Sequence, residues 1–344
     1  MDLLNYTRNL DYLFMIIFIM VSAGLAKDHN LFAPAFSYVR NVFRSNKFVL
    51  VILSAIGGVL PIEGRVTVSA GLLDTIAPKD GPGRQKMGII DYLSTHHYYM
   101  WSPLEKTVIL PIAAFGLTYI AFLELIWPLL ALSLIYIGAY IYFQVDEKDI
   151  AIQPTSFKMS SLTRNVFPMI VAIATYIAFN NFYLSFGLLA LYYMILTSTW
   201  NLKKLHGYIN WEVILTVGIV IVLGEYFKSY DSEFKNFIQT QSYINPETLV
   251  GMLAISVFGF GASFLMGSSS KFVALSVLMT QIFGLQYFLW FFAIDYAGYL
   301  LSPTHKCVMV GNRYFGTPYK DYYAVLLGWV LILLLTAGLF VFIM

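Results

Sequence analysis

The sequence contains few charged residues and many apolar ones. Charged residues make up 12% of the 344 positions and hydrophobic residues 59%, which gives a mean hydropathy of +0.71. A soluble domain of this composition would lack the polar residues needed to cover its surface. The composition therefore predicts an all-α polytopic membrane protein with the lipid bilayer as a partner. At about 20 residues per span, the chain is long enough for about nine or ten membrane segments.

Features that define several other protein classes are absent from the sequence. The net charge of +2 and the lack of a long basic run argue against nucleic acid as a partner. The single cysteine, Cys307, excludes an internal disulfide framework, and we interpret it as a small apolar packing residue. The motifs of serine hydrolases, zinc peptidases and phosphate-loop nucleotidases are missing, so neither an ordinary enzyme nor an ATP-driven pump is expected. No cofactor is expected either.

The N-terminal 47 residues are predicted to form a membrane helix followed by an interfacial segment. An apolar run covers residues 12–26, but the acidic residues Asp2 and Asp11 and the lack of a small-x-small cleavage site argue against a cleaved signal peptide. The following residues, 27–47, are amphipathic and carry basic side chains. A basic amphipathic segment is typical of a helix that lies along the membrane surface.

The rest of the chain divides into two similar halves. A polar stretch at 145–164 separates a first repeat at 48–144 from a second at 165–344. Each half has a Gly-containing interruption of an apolar run, followed first by Asp-Tyr and then by Ser-Pro, although the Asp-to-Pro spacing differs between the halves. Lipid cannot satisfy the backbone groups exposed by such interruptions, so they must face protein or water. The pattern predicts an internal repeat with re-entrant or broken helices, and interrupted segments at corresponding places in two halves indicate a transporter's binding site near the middle of the membrane.

Polar residues cluster at the two predicted hairpin tips. Free N–H groups, hydroxyls and an ammonium group in this setting suit a carboxylate or similar anion. The alternative interpretation is a structural ion pair at the first tip and an interfacial loop at the second, with the lysine reaching the lipid headgroups. The candidate substrate- or ion-binding residues are Glu63, Arg65, Thr67 and Ser69 at the first tip, and Gly267, Ser268, Ser269, Ser270 and Lys271 at the second.

Titratable residues follow each tip. A buried aspartate can bind Na⁺ or H⁺, and a histidine can load and release a proton near neutral pH. The alternative is that these residues belong to an interfacial aromatic belt around Trp101. No metal site is predicted, because His96 and His97 are adjacent and diverge on a helix without a third local ligand. The candidates are Asp91, His96 and His97 in the first half, and Asp295, Ser302, His305 and Lys306 in the second.

At these segments the sequence resembles an uncharacterised membrane family, known as domain of unknown function four hundred and one. That family is placed in the ion-transporter superfamily with gluconate, arsenite and dicarboxylate/sodium permeases. The resemblance implies two inverted repeats whose hairpins and broken helices meet at a central site. Glu63, Arg65 and Lys271 depart from the residues expected at its tips. The residues that carry the resemblance are 60–64, 68–70, Asp91-Tyr92, His96-His97, 101–103, Pro111, 266–269, 301–307 and Tyr314-Phe315.

The sequence therefore favours a secondary transporter in an inner or plasma membrane. It would move a small anion, such as an organic acid, coupled to Na⁺ or H⁺ by alternating access. A homodimer is a possible assembly. Two alternatives remain: a channel or a non-transporting membrane subunit, and an intramembrane hydrolase or transferase.

Overall fold

A computed structural model describes most of the chain. It covers residues 3–43, 45–59, 65–74, 76–146, 149–150, 158–179, 181–229, 233, 236–237, 240–241 and 243–342. Side chains are described within these ranges except at 3–11, 54–59, 65–68, 72, 224–225, 227–229 and 342. The part of the chain that is described contains helices and connecting turns but no strand. The predicted all-α class is therefore confirmed.

The helices follow one another with short connections. We number them α1 to α17 in chain order, and they span Leu3–Asp28, Ala33–Val42, Asn46–Val59, Arg65–Asp74, Gly81–His96, Lys106–Phe115, Tyr119–Gln144, Met159–Asn165, Phe167–Phe179, Leu188–Thr197, Leu202–Gly207, Trp211–Ser229, Leu249–Met266, Ser269–Phe283, Phe288–Leu301, Lys306–Phe315 and Tyr319–Phe342.

Long apolar helices form the outer part of the bundle. Within the described ranges, four are long and apolar enough to cross a membrane: Tyr119–Gln144, Met159–Phe179, Leu249–Met266 and Tyr319–Val341. A fifth candidate is the pair Tyr12–Asp28 and Ala33–Val42, which bends by 70°. Only 17–33% of the most apolar window of each long helix is buried, so most of that surface is available to lipid. The chain is a polytopic membrane protein.

The two halves contain matching elements in the same order. In the first half these are the helix pair α3–α4, the interrupted pair α5–α6 and the long helix α7; in the second they are α13–α14, α15–α16 and α17. Helices α6 and α16 are both ten residues long. Each ends at a glycine in the left-handed region, Gly116 with φ 67° and Gly316 with φ 65°, which is the usual way to stop a helix. These matches occur two hundred residues apart, as do the Ser-Pro pairs.

A short 3₁₀ turn accounts for the unequal spacing between the halves. The aspartate precedes the proline by twelve residues in the first half (91 to 103) and by eight in the second (295 to 303). The four-residue difference equals the length of the 3₁₀ turn His97–Met100, which extends the end of α5. No 3₁₀ turn separates α15 from Ser302. The limits of the repeats and linker stay predictions, and residues 147–148 and 151–157 of the linker lie outside the described ranges.

The second part of each interrupted helix packs on the other half of the molecule. Helix α6 contacts α14 of the second half, while α16 contacts α4 and α5 of the first half. Arg84 fixes the latter contact, since its guanidinium donates to Asp74 at 2.6 Å and to the Tyr314 carbonyl at 2.7 Å. The two halves therefore share one core.

Helices α5 and α15 lie at the centre of this core. Every residue from 87 to 96 and from 291 to 300 is buried. Helix α5 nevertheless carries polar residues such as Asp91, Ser94 and Thr95. A membrane helix can hold such residues when protein rather than lipid surrounds it. The interruptions that follow α5 and α15 therefore bring polar groups into the centre of the bundle.

Candidate functional site

The tyrosine after each central aspartate reaches across to the other half. Tyr92 on α5 places its hydroxyl 3.0 Å from the Leu300 carbonyl and 2.9 Å from Nδ1 of His305. Tyr296 on α15 donates its hydroxyl to the His96 carbonyl at 2.9 Å. Both hydroxyls thus contact the end of the opposite central helix, where the backbone is interrupted. The two tyrosines therefore link each central helix to the break in the other half.

A tyrosine pair joins the breaks directly. The hydroxyls of Tyr99 and Tyr299 lie 2.8 Å apart, and both residues are almost fully buried. Tyr99 lies in the 3₁₀ turn His97–Met100, and Tyr299 lies near the end of α15. The Tyr99–Tyr299 contact therefore links the first break to the end of α15.

Two histidines meet beside this tyrosine pair. Nε2 of His96, at the end of α5, lies 3.1 Å from Nε2 of His305, which precedes α16. Both side chains are buried, with exposed fractions of 0% and 2%. The half-buried Cys307 lies close by, so that ligand atoms of His96, His305 and Cys307 are within 4.8 Å of one another. A titratable cluster thus connects the two breaks.

Backbone carbonyls constrain the protonation of both rings. Nδ1 of His96 lies 2.5 Å from the Tyr92 carbonyl, and Nδ1 of His305 lies 3.1 Å from the Tyr299 carbonyl. A carbonyl only accepts hydrogen bonds, so the first contact requires a proton on Nδ1 of His96. His305 has a choice, because its Nδ1 can donate to Tyr299 or accept from the Tyr92 hydroxyl. With its proton on Nδ1, His96 can only accept at Nε2, so the tautomer of His305 decides whether a hydrogen bond forms across the Nε2–Nε2 contact.

Asp295 on α15 has one hydrogen-bonded oxygen. Ser276 on α14 donates its hydroxyl to Oδ2 of Asp295 at 2.7 Å. The other oxygen, Oδ1, is buried and has no hydrogen-bond partner among the described side chains. A Cβ at Gly259 of α13 would lie 2.5 Å from that oxygen, so the glycine leaves room for the carboxyl group. Both α13 and α14 therefore pack against the carboxyl group of Asp295.

Asp91 on α5 occupies the matching place in the first half. Its side chain is 1% exposed and faces Ser69 on α4, whose hydroxyl contributes to the electrostatics of the carboxyl group. Among the described side chains, however, neither carboxylate oxygen of Asp91 nor the Ser69 hydroxyl has a well-formed hydrogen bond. Each half thus places a serine of its second hairpin helix against a buried aspartate.

Some predicted residues lie next to the core without joining the histidine cluster. The indole of Trp101 donates to Nδ1 of His97 at 2.8 Å, so this ring has its own partner. Gly267 has a φ of 54°, and a Cβ there would overlap the Thr304 hydroxyl and lie 2.7 Å from that of Ser302. The second hairpin tip therefore packs on the second break through a position that requires glycine.

Other predicted residues lie farther out. Ser268 and Ser269 are half-buried and Ser270 is buried, at the start of α14. Lys271 is exposed and pairs at the surface with Glu212 at 3.6 Å, while Lys306 is also exposed. Glu63 lies outside the described residues, as do the side chains of Arg65 and Thr67. The structure thus brings Ser69, Asp91, His96, Asp295, Ser302 and His305 into the core and leaves the lysines at its edge.

Several residues of the site were not predicted from the sequence. Tyr92 and Tyr296 were visible as parts of the repeated Asp-Tyr pair, but only as markers of the repeat. Ser276 lies inside a continuous helix and Cys307 was interpreted as an apolar packing residue. Tyr99 and Tyr299 lie two hundred residues apart, and no local sequence pattern connects them.

Residues 7–344 match the model of a family described as a protein of unknown function, DUF401. The chain belongs to the DUF401 family. No curated protein matches it. Since the family match includes both halves, the aspartates, the tyrosines and the histidine cluster all lie within the region that defines DUF401.

Proposed function

We propose that this DUF401 protein is a secondary transporter of an inner or plasma membrane that moves a small anion coupled to H⁺ or Na⁺. The observation that carries the proposal is the twofold occurrence of a buried aspartate facing a hairpin serine. The two pairs are Asp91 with Ser69 and Asp295 with Ser276, and the aspartates lie on the central helices α5 and α15, which end at matching interruptions. The homodimer stays a prediction.

The two aspartates supply the coupling step. An ionised carboxylate in an apolar interior costs several kcal/mol unless a cation neutralises it. H⁺ or Na⁺ binding removes this cost, and exposure of the site to water on the other side restores the charge and releases the ion. The carboxyl group thus links ion occupancy to the conformation of the bundle, which is the requirement for coupled transport.

The interrupted helices supply the anion-binding element. Helices α6 and α16 both begin just after a Ser-Pro pair, and each has a lysine as its first residue, Lys106 and Lys306. The N-terminal end of a half-helix carries partial positive charge and free N–H groups, which favour an anion. Discontinuous helices in transporters present these ends to substrate. These half-helix ends support a small anion, such as an organic acid, as substrate.

Proteoliposomes test this proposal with radiolabelled gluconate and succinate under separately imposed H⁺ and Na⁺ gradients. We expect saturable uptake that requires one of the two gradients. Asp91→Asn and Asp295→Asn should each lower gradient-driven uptake at least about tenfold, because a neutral amide can no longer exchange its charge. Glu124→Gln, at an exposed position of α7, is the matched control and should retain uptake.

The outcomes separate the competing functions. Flux that does not saturate and ignores the gradients would identify a channel. Uptake that still depends on the gradient in both Asp91→Asn and Asp295→Asn would show that the aspartates take no part in coupling. Absence of uptake of both compounds under either gradient would contradict an organic-acid transporter.

A further inference from the structure

We propose that His96, His305 and Cys307 bind a divalent transition metal of the Zn²⁺ class and thereby join the two breaks. This site is independent of the proposed transport activity. The three residues lie on different elements: His96 ends α5, His305 precedes α16 and Cys307 is the second residue of α16. Two imidazoles and one thiolate form a ligand set that Zn²⁺ favours.

The distances between the ligand atoms suit such an ion. A Zn–N bond is about 2.0–2.1 Å long, which places two nitrogens of a tetrahedral site about 3.3 Å apart. Nε2 of His96 and Nε2 of His305 are 3.1 Å apart, and one ligand atom from each of His96, His305 and Cys307 lies within 4.8 Å of the other two. An ion can therefore contact both nitrogens with little movement of the rings. The fourth position is left for water or another ligand.

The surroundings of the histidines also match those of metal ligands. A metal-bound histidine commonly donates its other ring N–H to a backbone carbonyl, which fixes the tautomer. Here Nδ1 of His96 contacts the Tyr92 carbonyl and Nδ1 of His305 contacts the Tyr299 carbonyl. If both Nδ1 atoms donate, the two Nε2 lone pairs point at each other. Such lone pairs repel unless a cation lies between them, and a metal ion satisfies both.

Tyr92 allows the same side chains to accept or release the metal. Without metal, its hydroxyl can donate to Nδ1 of His305, whose Nε2–H then donates to His96. With metal, the Tyr92 hydroxyl donates to the Leu300 carbonyl instead, and the proton of His305 moves from Nε2 to Nδ1, where it is donated to the Tyr299 carbonyl. The histidines lose no net proton in this exchange. Conversion of the Cys307 thiol to a thiolate releases one proton for each metal bound.

The experiment uses the full-length protein, purified in detergent and treated with chelator, and titrates it with Co²⁺ as a spectroscopic substitute for Zn²⁺. We expect a thiolate-to-cobalt charge-transfer band at one equivalent, displaced by Zn²⁺. Because the chain has one cysteine, this band reports on Cys307 alone. It should disappear in Cys307→Ser and weaken in His96→Ala and His305→Ala. His206→Ala, at an exposed position of α11, should leave it unchanged.

Zn²⁺ should also raise the Tm of the unaltered protein and of His206→Ala, but not that of Cys307→Ser. Lack of the charge-transfer band in the unaltered protein would overturn the proposal. It would also be overturned by a band that both histidine variants retain at full intensity. If the histidine variants fail to fold, the test depends on Cys307→Ser, whose altered side chain is only half-buried. An equal rise in Tm on addition of Zn²⁺ in the unaltered protein and in Cys307→Ser would contradict the site.

Discussion

The Asp91 and Asp295 regions occupy matching places, but their hydrogen bonding differs. Asp295 accepts a hydrogen bond from Ser276, whereas Asp91 only faces Ser69 without a well-formed bond among the described side chains. The position of the acid is the same in the two halves, whereas the hydrogen bonding around it differs. An acid that lacks hydrogen bonds gains more from binding a cation. We therefore expect Asp91 to be the more responsive of the two ion sites.

The short helices α6 and α16 also differ, in how closely they are packed. Position 311 of α16 is a glycine, and the matching position of α6 is Pro111, which lies inside that helix. Gly311 and Gly88 both face the buried hydroxyl of Tyr322 on α17, so that α5, α16 and α17 meet there. Pro111 instead removes a backbone donor from α6. The second half-helix is therefore fixed by close packing at a point where the first carries a helix-weakening residue.

The largest expected effect is that of Gly311→Ala on stability. A Cβ at this position would overlap the Tyr322 hydroxyl, and the packed tyrosine has little room to move. We expect a loss of about 3 kcal/mol, the upper end for overpacking in a core. Thermal unfolding in detergent measures it. Gly138→Ala in α7, where a Cβ meets nothing within 4 Å, is the matched control. Equal Tm values for Gly311→Ala and Gly138→Ala would contradict the close packing of α16 and, with it, the packing difference between α6 and α16.

An intermediate effect should distinguish the two Asp–Ser pairs. Ser276→Ala deletes the hydrogen bond to Asp295 and should lower stability by about 1–2 kcal/mol, since a buried acceptor loses its partner. Ser69→Ala removes a hydroxyl without a well-formed bond and should change stability by less than about 0.5 kcal/mol. Denaturation of both variants under identical conditions tests the contrast. Similar losses would show that the pairs are equivalent.

The smallest effect should come from Lys271→Ala at the second hairpin tip. The Lys271–Glu212 pair lies at the surface, and exposed ion pairs contribute at most about 1 kcal/mol. We expect nearly unchanged Tm and organic-acid uptake, with Glu212→Gln as the control for the ion pair itself. A large loss of uptake in Lys271→Ala alone would assign substrate binding to this lysine and shift the functional site towards the tip.

The sequence predicted the all-α membrane class correctly because the signals of apolar helices and of their interruptions are local. Ser-Pro pairs and glycines interrupt apolar runs at positions that can be read directly, and Asp91 and Asp295 stand out among apolar neighbours. The His96–His305 contact joins residues 209 positions apart, and no local pattern contains it. For the same reason, the absence of a third ligand near His97 said little about a metal site. Cys307 becomes a candidate ligand only when α16 packs on the first half.

The exchange of α6 and α16 between the halves has a consequence for biosynthesis. The surface of α6 that contacts α14 stays uncovered until the ribosome has synthesised the second half. The surfaces of α4 and α5 that contact α16 stay uncovered until synthesis has reached residue 315. The buried polar groups of α5 therefore enter the membrane before their final partners exist. Insertion of this chain requires either the translocon or neighbouring lipid-exposed helices to shelter α5 until synthesis is almost finished.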